Sequence, residues 1–140
     1  MIQSIQKYHQ RGKTATVAKK VGKNSIFEKV SEHSIQVACI NWFRYQYPRW
    51  LIYAIPNGGA RNKIVAVKLK EEGVLSGVPD LHIPVAKKGY HGLYVEMKAG
   101  KNKATDKQIE VMQKLSNEGY KCEVCWSFDE FKILVDSYLK

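Results

Sequence analysis

The fold of this chain is organised by one stretch of its sequence, GVPDLHIPVAKKGYHGLYVEMK, residues 77–98. Two short apolar runs flank a glycine-containing break, which is the pattern of a β-hairpin. If the turn centres on Lys88, antiparallel pairing places Asp80 opposite Glu96, with Cβ atoms about 4.5–5.5 Å apart. Side chains alternate along a strand, so Glu96 and Lys98 project from the same face. The pattern therefore predicts two carboxylates and one ammonium group at a single spot.

Two ionised carboxylates held this close repel each other, so the arrangement needs a compensating charge. A divalent cation is the usual one, with Lys98 beside it. Each half of the pattern also has a structural explanation, since acid and lysine pairs are common on solvated strand faces and GVPD is an ordinary turn sequence. The combination is more specific, because it brings all three groups together from two strands.

The composition indicates one globular domain. The chain has 140 residues, of which 44% are hydrophobic and 26% are charged. The first ten residues are polar, and no apolar run approaches the length of a membrane span. We therefore expect an intracellular protein with no membrane partner. We place it in the cytoplasm or nucleoid, as a bacterial or phage-encoded protein.

The net charge of +10 is concentrated near the N-terminus, where residues 1–30 hold seven basic side chains against one acid, Glu28. A phosphate backbone is the expected polyanion. An acidic membrane surface is the competitor, but the segment lacks the periodicity of an amphipathic helix. We interpret residues 1–30 as a basic N-terminal arm that contacts nucleic acid or a partner subunit, with a solvated tail as the alternative. Residues 31–140 are then the folded domain.

A first helix is predicted to begin after Ser31, a typical N-cap residue. Apolar side chains recur at helical spacing and define its buried face: Ile35, Ala38, Cys39, Trp42 and Phe43. Glu32 lies in the first turn, where an acid complements the helix dipole. We favour the sharper interpretation, in which the Glu32 carboxylate also reaches the cation from a neighbouring element.

Residues 50–55, WLIYAI, predict a buried strand that ends in the loop PNGG, residues 56–59. A basic helix follows from Arg61 to Glu72 and is closed by Gly73. Its cations are available for phosphate contacts: Arg61, Lys63, Lys68 and Lys70.

After the hairpin, a polar loop carries two further cations, Lys101 and Lys103. Thr105 and Gln108 then form the capping-box pattern of the next helix. Gln108 shares one helical stripe with apolar residues, so it faces inward at the end where the loop leaves Lys98. Its amide has enough hydrogen-bonding groups to cap the helix and to reach the site.

The last two elements are a strand from Cys122 to Trp126 and a helix capped by Ser127 and Glu130. Cys122 and Cys125 match C-x-x-C, but the sequence has no second pair for a zinc site, and strand positions three apart face opposite ways. A structural role for these cysteines is favoured. The element order is helix, strand, helix, hairpin, helix, strand, helix, which predicts an α/β sandwich around a mixed β-sheet.

These residues resemble a known nuclease motif. Asp80 with Glu96, Met97 and Lys98 resembles the PD-(D/E)xK motif, and the finer pattern is similar to the VRR-NUC branch, the virus-type replication-repair nucleases. The ordered set that carries this finer resemblance is Glu32, the basic helix before Gly73, the GVPD segment, the Glu96-Met97-Lys98 run and Gln108.

The resemblance runs from about Glu32 to Phe128 and leaves residues 1–30 outside it. It implies a restriction-endonuclease-like fold, that is, an α/β mixed sheet flanked by helices. His82 is a small departure, because an apolar residue is expected at that position.

The resemblance also implies a phosphodiesterase that acts on DNA and depends on Mg²⁺, with Mn²⁺ expected to substitute. The ligands assigned to the cation are the carboxylates of Asp80, Glu96 and Glu32 and the backbone carbonyl of Met97. Lys98 would hold or deprotonate the attacking water, or stabilise the charge that develops on the phosphate, and Gln108 would orient water or phosphate.

Standalone members of the family resemble Holliday-junction resolvases that work as homodimers, whereas versions embedded in larger proteins act on flaps or ends. This chain is similar to the standalone type, so we expect a structure-selective DNA endonuclease. The DNA phosphates would be contacted by the basic helix, Lys101, Lys103 and the N-terminal arm. The alternatives are a flap- or end-processing nuclease, a non-catalytic nucleic-acid-binding module, and a subunit that binds a protein partner through its basic arm.

Overall fold

Four helices and four strands form the described part of the chain, which comprises residues 31–57 and 62–140 of a computed structural model. In chain order they are α1 Glu32–Gln46, β1 Tyr53–Ala54, α2 Lys63–Glu71, β2 Leu81–Ile83, β3 Leu93–Met97, α3 Asp106–Asn117, β4 Lys121–Cys125 and α4 Phe128–Leu139. The N-terminal arm predicted for residues 1–30 lies outside the described ranges, and so does Arg61. The order of the elements is the one predicted from the sequence.

The strands make one sheet in the order β1-β2-β3-β4. β1 pairs with β2 and β2 with β3 in the antiparallel sense, whereas β3 and β4 are parallel. A parallel pair needs a crossover connection, and α3 supplies it here. The result is the predicted restriction-endonuclease-like architecture, a mixed sheet flanked by helices.

The β2–β3 hairpin has the register expected from the sequence. Leu81 pairs with Val95, and the same alignment extended by one residue sets Asp80 opposite Glu96. The backbone N–H of Met97 donates to Asp80 Oδ2 at 2.8 Å, which ties the first carboxylate to the second strand. The hairpin therefore fixes the spacing of the two acids.

The turn of this hairpin is formed by Lys88 and Gly89, whose φ angles are both positive, 52° and 82°. Positive φ at both central positions is typical of two-residue turns whose twist matches that of the strands. The backbones of Lys87 and Tyr90 exchange hydrogen bonds of 3.1 and 2.9 Å across the turn. The β2 ladder ends before Pro84, which has no N–H to donate.

One face of the sheet is covered by α1 and α4. Their apolar side chains, including Phe43 and Phe131, pack on alternate residues of β2 and β3 and form the core. The buried strand residues on this face are Leu81, Ile83, Leu93, Val95 and Met97. α3 packs against β4 and buries Val111, and it lies on the opposite face, where the side chains of Asp80 and Glu96 project. The core and the candidate site thus occupy different faces of the same strands.

Two predictions about burial are wrong. Of residues 50–55, expected to form a buried strand, only Tyr53 and Ala54 pair with β2, and both are exposed, while Ile52 is buried. The reason is that β1 is the edge of the described sheet and pairs with a single strand there. Ala38, expected on the buried face of α1, is exposed because it lies at the margin of the apolar stripe.

The basic helix α2 begins at Lys63, and Asn62 caps it by accepting a hydrogen bond from the Ile64 backbone N–H. It ends before Gly73, whose φ of 97° suits a residue without Cβ. None of its residues is buried. Among the described helices, none combines the length and apolar character needed to cross a membrane.

Two of the cysteines have thiols whose pKa is raised by burial. Burial raises the pKa of Cys39 to about 12 and that of Cys122 to about 11. Thiols with such pKa values are protonated near neutral pH, whereas a nucleophile or a metal ligand has to be a thiolate. These environments favour the structural role predicted from the sequence.

Candidate active site

Asp80 stands just before β2 and is held from both sides. Its backbone carbonyl accepts a hydrogen bond from the Ile55 N–H at 2.7 Å, and its side chain accepts the Met97 N–H. Burial raises the pKa of the Asp80 carboxyl, while the Met97 N–H and the charge of Lys98 oppose this effect. The Glu32 charge acts in the same direction as burial, which indicates that the two acids share one electrostatic environment.

Glu96 is the most deeply buried charged group of the site, with 1% of its surface exposed. Its Oε1 accepts hydrogen bonds from Lys98 Nζ at 2.7 Å and from Gln108 Nε2 at 2.5 Å. Its Oε2 is also buried but has no hydrogen-bond partner among the described residues. A buried, unpartnered carboxylate oxygen is costly in a folded protein, and it marks the position where a cation or a proton is required.

The pKa of the Glu96 carboxyl is raised to about 7, first of all by burial. The hydrogen bond and charge of Lys98 lower the pKa, whereas the charges of Asp80 and Glu32 raise it further. One ammonium group therefore does not compensate the negative charge that three carboxylates bring to this end of the sheet. The electrostatics of the site favour an additional cation.

Gln108 links the site to the start of α3. Its Oε1 accepts the backbone N–H of Thr105 at 2.8 Å, which closes the capping box, while its Nε2 donates to Glu96. The two ends of one amide thus serve the helix and the carboxylate at the same time. This is the placement that the capping pattern and the helical stripe predicted.

Glu32, the first residue of α1, is engaged with the loop that follows Lys98. Its Oε1 accepts from Asn102 Nδ2 at 3.0 Å and from the Ala99 N–H at 3.3 Å. In residues 31–57 and 62–140, no three His, Cys, Asp or Glu side chains form a group that could hold a metal ion. A direct ligand role for Glu32 therefore stays a prediction, and the structure gives it a second role in positioning the loop.

The remaining donors suit a hard divalent cation. Mg²⁺ binds oxygen ligands and is commonly held by one or two carboxylates, its other positions being filled by water and substrate phosphate. Asp80 and Glu96 supply the two carboxylates, and the unpartnered Glu96 Oε2 supplies a buried oxygen that needs a positive neighbour within the described structure. The Met97 carbonyl follows Glu96 directly in the chain. These residues fit Mg²⁺ or Mn²⁺.

The cations predicted to contact DNA phosphates are spread over two exposed elements. Lys63 and Lys68 lie on α2, while Lys101 and Lys103 lie in the loop between β3 and α3, and all four are exposed. Arg61 falls outside the described residues. Their roles in DNA binding stay predictions.

Two sets of contacts near the site were not predicted from the sequence. Asn102 holds Glu32 although the two residues are 70 positions apart. His82 lies on the same face of the sheet as Asp80, where its ring stacks on Tyr94 and its Nδ1 shares a hydrogen bond of 2.6 Å with the Tyr53 hydroxyl. The imidazole that departs from the family pattern is thus packed among aromatic rings, and burial lowers its pKa.

Comparisons with known proteins agree with this fold. The model of the VRR-NUC domain family matches residues 30–129. A solved structure described as "VRR_NUC domain protein" is 29% identical, with a TM-score of 0.67, and the match covers 81% of this chain and 91% of that one. No match was found among curated proteins.

The fold and the arrangement of Asp80, Glu96 and Lys98 define a nuclease-type domain of the PD-(D/E)xK superfamily. Within that superfamily, the chain belongs to the VRR-NUC family.

Proposed function

We propose that this protein is a Mg²⁺-dependent, structure-selective DNA endonuclease that resembles Holliday-junction resolvases. The observation that carries the proposal is the pairing of the half-buried Asp80 with the buried Glu96 across the hairpin, with Lys98 Nζ 2.7 Å from Glu96 Oε1. Asp80, Glu96 and the Met97 carbonyl would hold the cation, which would polarise the phosphodiester and lower the pKa of the attacking water.

The chain's own groups arrange the remaining chemistry. Hydrolysis forms a bond between water oxygen and phosphorus and breaks the bond to one deoxyribose oxygen, so negative charge builds up on the phosphate oxygens. Lys98 Nζ donates to Glu96, and an ammonium group there is suited to hold water or to stabilise that charge. To accept the proton of water, Lys98 would first have to release one of its own. Gln108 keeps the Glu96 carboxylate in place.

The expected partner is branched DNA, bound by a homodimer that sets two sites by symmetry. Exposed lysines of α2 and of the loop after β3 support phosphate contacts, which position DNA without reading its sequence. The expected location is the bacterial or phage-infected cytoplasm and nucleoid. Flap- or end-processing activity and metal-independent binding without cleavage are the competing outcomes.

A cleavage assay tests the proposal with four-way junctions, flaps and blunt duplexes in the presence of Mg²⁺ or Mn²⁺. Asp80→Ala and Lys98→Ala should each lower the cleavage rate by about 10²–10³-fold or more, because each removes a group that acts on the transition state. Junction binding and the circular dichroism spectrum should be retained.

The matched controls are Asp129→Asn and Lys88→Ala, an exposed acid at the start of α4 and an exposed lysine in the hairpin turn. Both should cleave at the wild-type rate. Undiminished cleavage by purified Asp80→Ala and Lys98→Ala proteins would refute the assignment of the site.

A further inference from the structure

An open groove lies beside the candidate active site, between α2 with its following turn and the first turn of α3. Its volume is about 580 Å³, which is within the range of small-molecule sites. Four apolar side chains line it, namely Ala66, Leu69, Val74 and Leu75, together with two lysines, Lys70 and Lys107. We call this feature the α2–α3 groove.

The α2–α3 groove adjoins the segments that carry the site residues. Gly77 packs so closely on α3 that a Cβ atom there would stand 2.9 Å from the backbone oxygen of Lys107. Asn57 lines the groove and donates from Nδ2 to the Val78 carbonyl at 2.5 Å. Because Val78 is two residues before Asp80 and Lys107 directly precedes Gln108, the groove lies next to the site.

The lining of the groove is complementary to a nucleotide. The apolar wall can pack against a base or a sugar, and the two ammonium groups can contact phosphates. None of the described residues that line the groove is acidic, although Glu71 and Glu72 are neighbours in the chain. A base inside a duplex is paired and stacked on both faces, so it reaches such a wall only when it is unpaired.

We propose that the α2–α3 groove binds an unpaired nucleotide of the DNA strand next to the scissile phosphate, with Lys70 and Lys107 on the phosphates of that nucleotide. The inference rests on the proposed nuclease function and sharpens its substrate class. The enzyme requires a strand that is single-stranded beside the cut, as it is at an opened branch point, and a continuous duplex is a poor substrate.

The test measures binding of a fluorescent single-stranded oligothymidylate of about eight nucleotides and of a blunt duplex, both without divalent metal. The double variant Lys70→Gln with Lys107→Gln should bind the single strand about tenfold more weakly at low salt, since two phosphate contacts are lost. The slope of log affinity against log salt concentration should become shallower by about 1.4, or about 0.7 for each contact. Duplex binding should change no more than in the control.

The control is Lys88→Gln with Lys114→Gln, which removes the same charge from two exposed lysines that do not line the groove. The apolar wall has its own pair of variants. Leu75→Asp, at a side chain that is 52% exposed, should weaken single-strand binding, whereas Ile133→Asp on α4, 71% exposed, should not. Both substitutions are at exposed positions, so folding is retained.

Equal losses in the groove variants and their controls would overturn the inference, and so would equal losses for single strand and duplex. These results are distinct from failure of the proposed function. If the wild type cleaves junctions and the groove variants bind the single strand normally, the nuclease proposal stands and the groove proposal fails. If the groove variants selectively lose single-strand binding but the wild type cleaves no DNA, the groove proposal stands and the nuclease proposal fails.

Discussion

The two oxygens of the Glu96 carboxylate are in different situations. Oε1 accepts hydrogen bonds from Lys98 and Gln108, while Oε2 is buried without a partner in the described structure. A cation that binds at Oε2 competes with the proton that burial favours on this carboxyl. Metal binding and titration of Glu96 are therefore coupled.

This coupling predicts how divalent metal binding depends on pH. Because the pKa of Glu96 is raised to about 7, the carboxyl holds a proton below that pH and must lose it when the cation binds. The apparent Mn²⁺ affinity should rise about tenfold per pH unit up to about pH 7 and then level off, since one proton is displaced.

Isothermal titration calorimetry with Mn²⁺ between about pH 5.5 and 8 measures this dependence. Glu96→Gln, which has no proton to lose, should bind Mn²⁺ weakly at every pH. A wild-type affinity that is independent of pH over this range would contradict the coupling.

At the residue scale, the sequence predicted the contacts that follow from local periodicity. The alternation along β3 put Glu96 and Lys98 on one face, and the capping pattern put Gln108 at the end of α3 that meets them. The contact of Glu32 with Asn102 was beyond such reasoning, because it depends on how α1 packs against the loop after β3.

At the element scale, the segment that leads into β2 is constrained by its contact with α3. Gly77 has a φ of 91°, and an added Cβ would stand 2.7 Å from Lys107 Cγ as well as close to the Lys107 backbone. Gly73, only four residues earlier, has a φ of 97°, but a Cβ added there would have no described atom within 4 Å beyond its chain neighbours. A comparison of substitutions at the two glycines therefore separates the effect of backbone strain from the effect of steric contact with α3.

Gly77→Ala should therefore lower the free energy of unfolding by about 3 kcal/mol and Gly73→Ala by about 1 kcal/mol. Both replacements strain the backbone, but only the first also pushes a side chain into α3. Chemical denaturation measures the difference. Equal losses in the two proteins would show that the contact with α3 adds nothing.

The elements also show where sequence patterns fail. The hairpin was predictable, register included, because its apolar runs, its turn and its acids all agree on one alignment. Residues 50–55 carry an equally apolar pattern, yet only a two-residue edge strand forms. Apolar composition reports a tendency to be buried, but the position of a strand within the sheet decides whether neighbours are available to bury it.

At the scale of the whole molecule, the basic N-terminal segment predicts a strong contribution to DNA affinity. Deleting residues 1–28, which carry six basic side chains and one acid, should weaken junction binding. The dependence of affinity on salt should become flatter by about 0.9 for each phosphate contact that is lost.

Fluorescence anisotropy over a range of salt concentrations measures both effects. If the truncated protein retained the affinity and the salt dependence of the full chain, the segment would instead serve a protein partner or be a solvated tail. Cleavage of a junction at saturating protein should survive the deletion, since the candidate site lies wholly in residues 31–140.

The separation of the two faces of the sheet has a consequence for redesign. Leu81, Ile83 and Val95 point into the core, while His82 and Tyr94, their immediate neighbours, point to the reactive side. Replacing His82 or Tyr94 therefore alters the side of the sheet that carries the site, whereas replacing Leu81, Ile83 or Val95 alters the packing of the core. Redesign of the reactive side can in this way leave the core untouched.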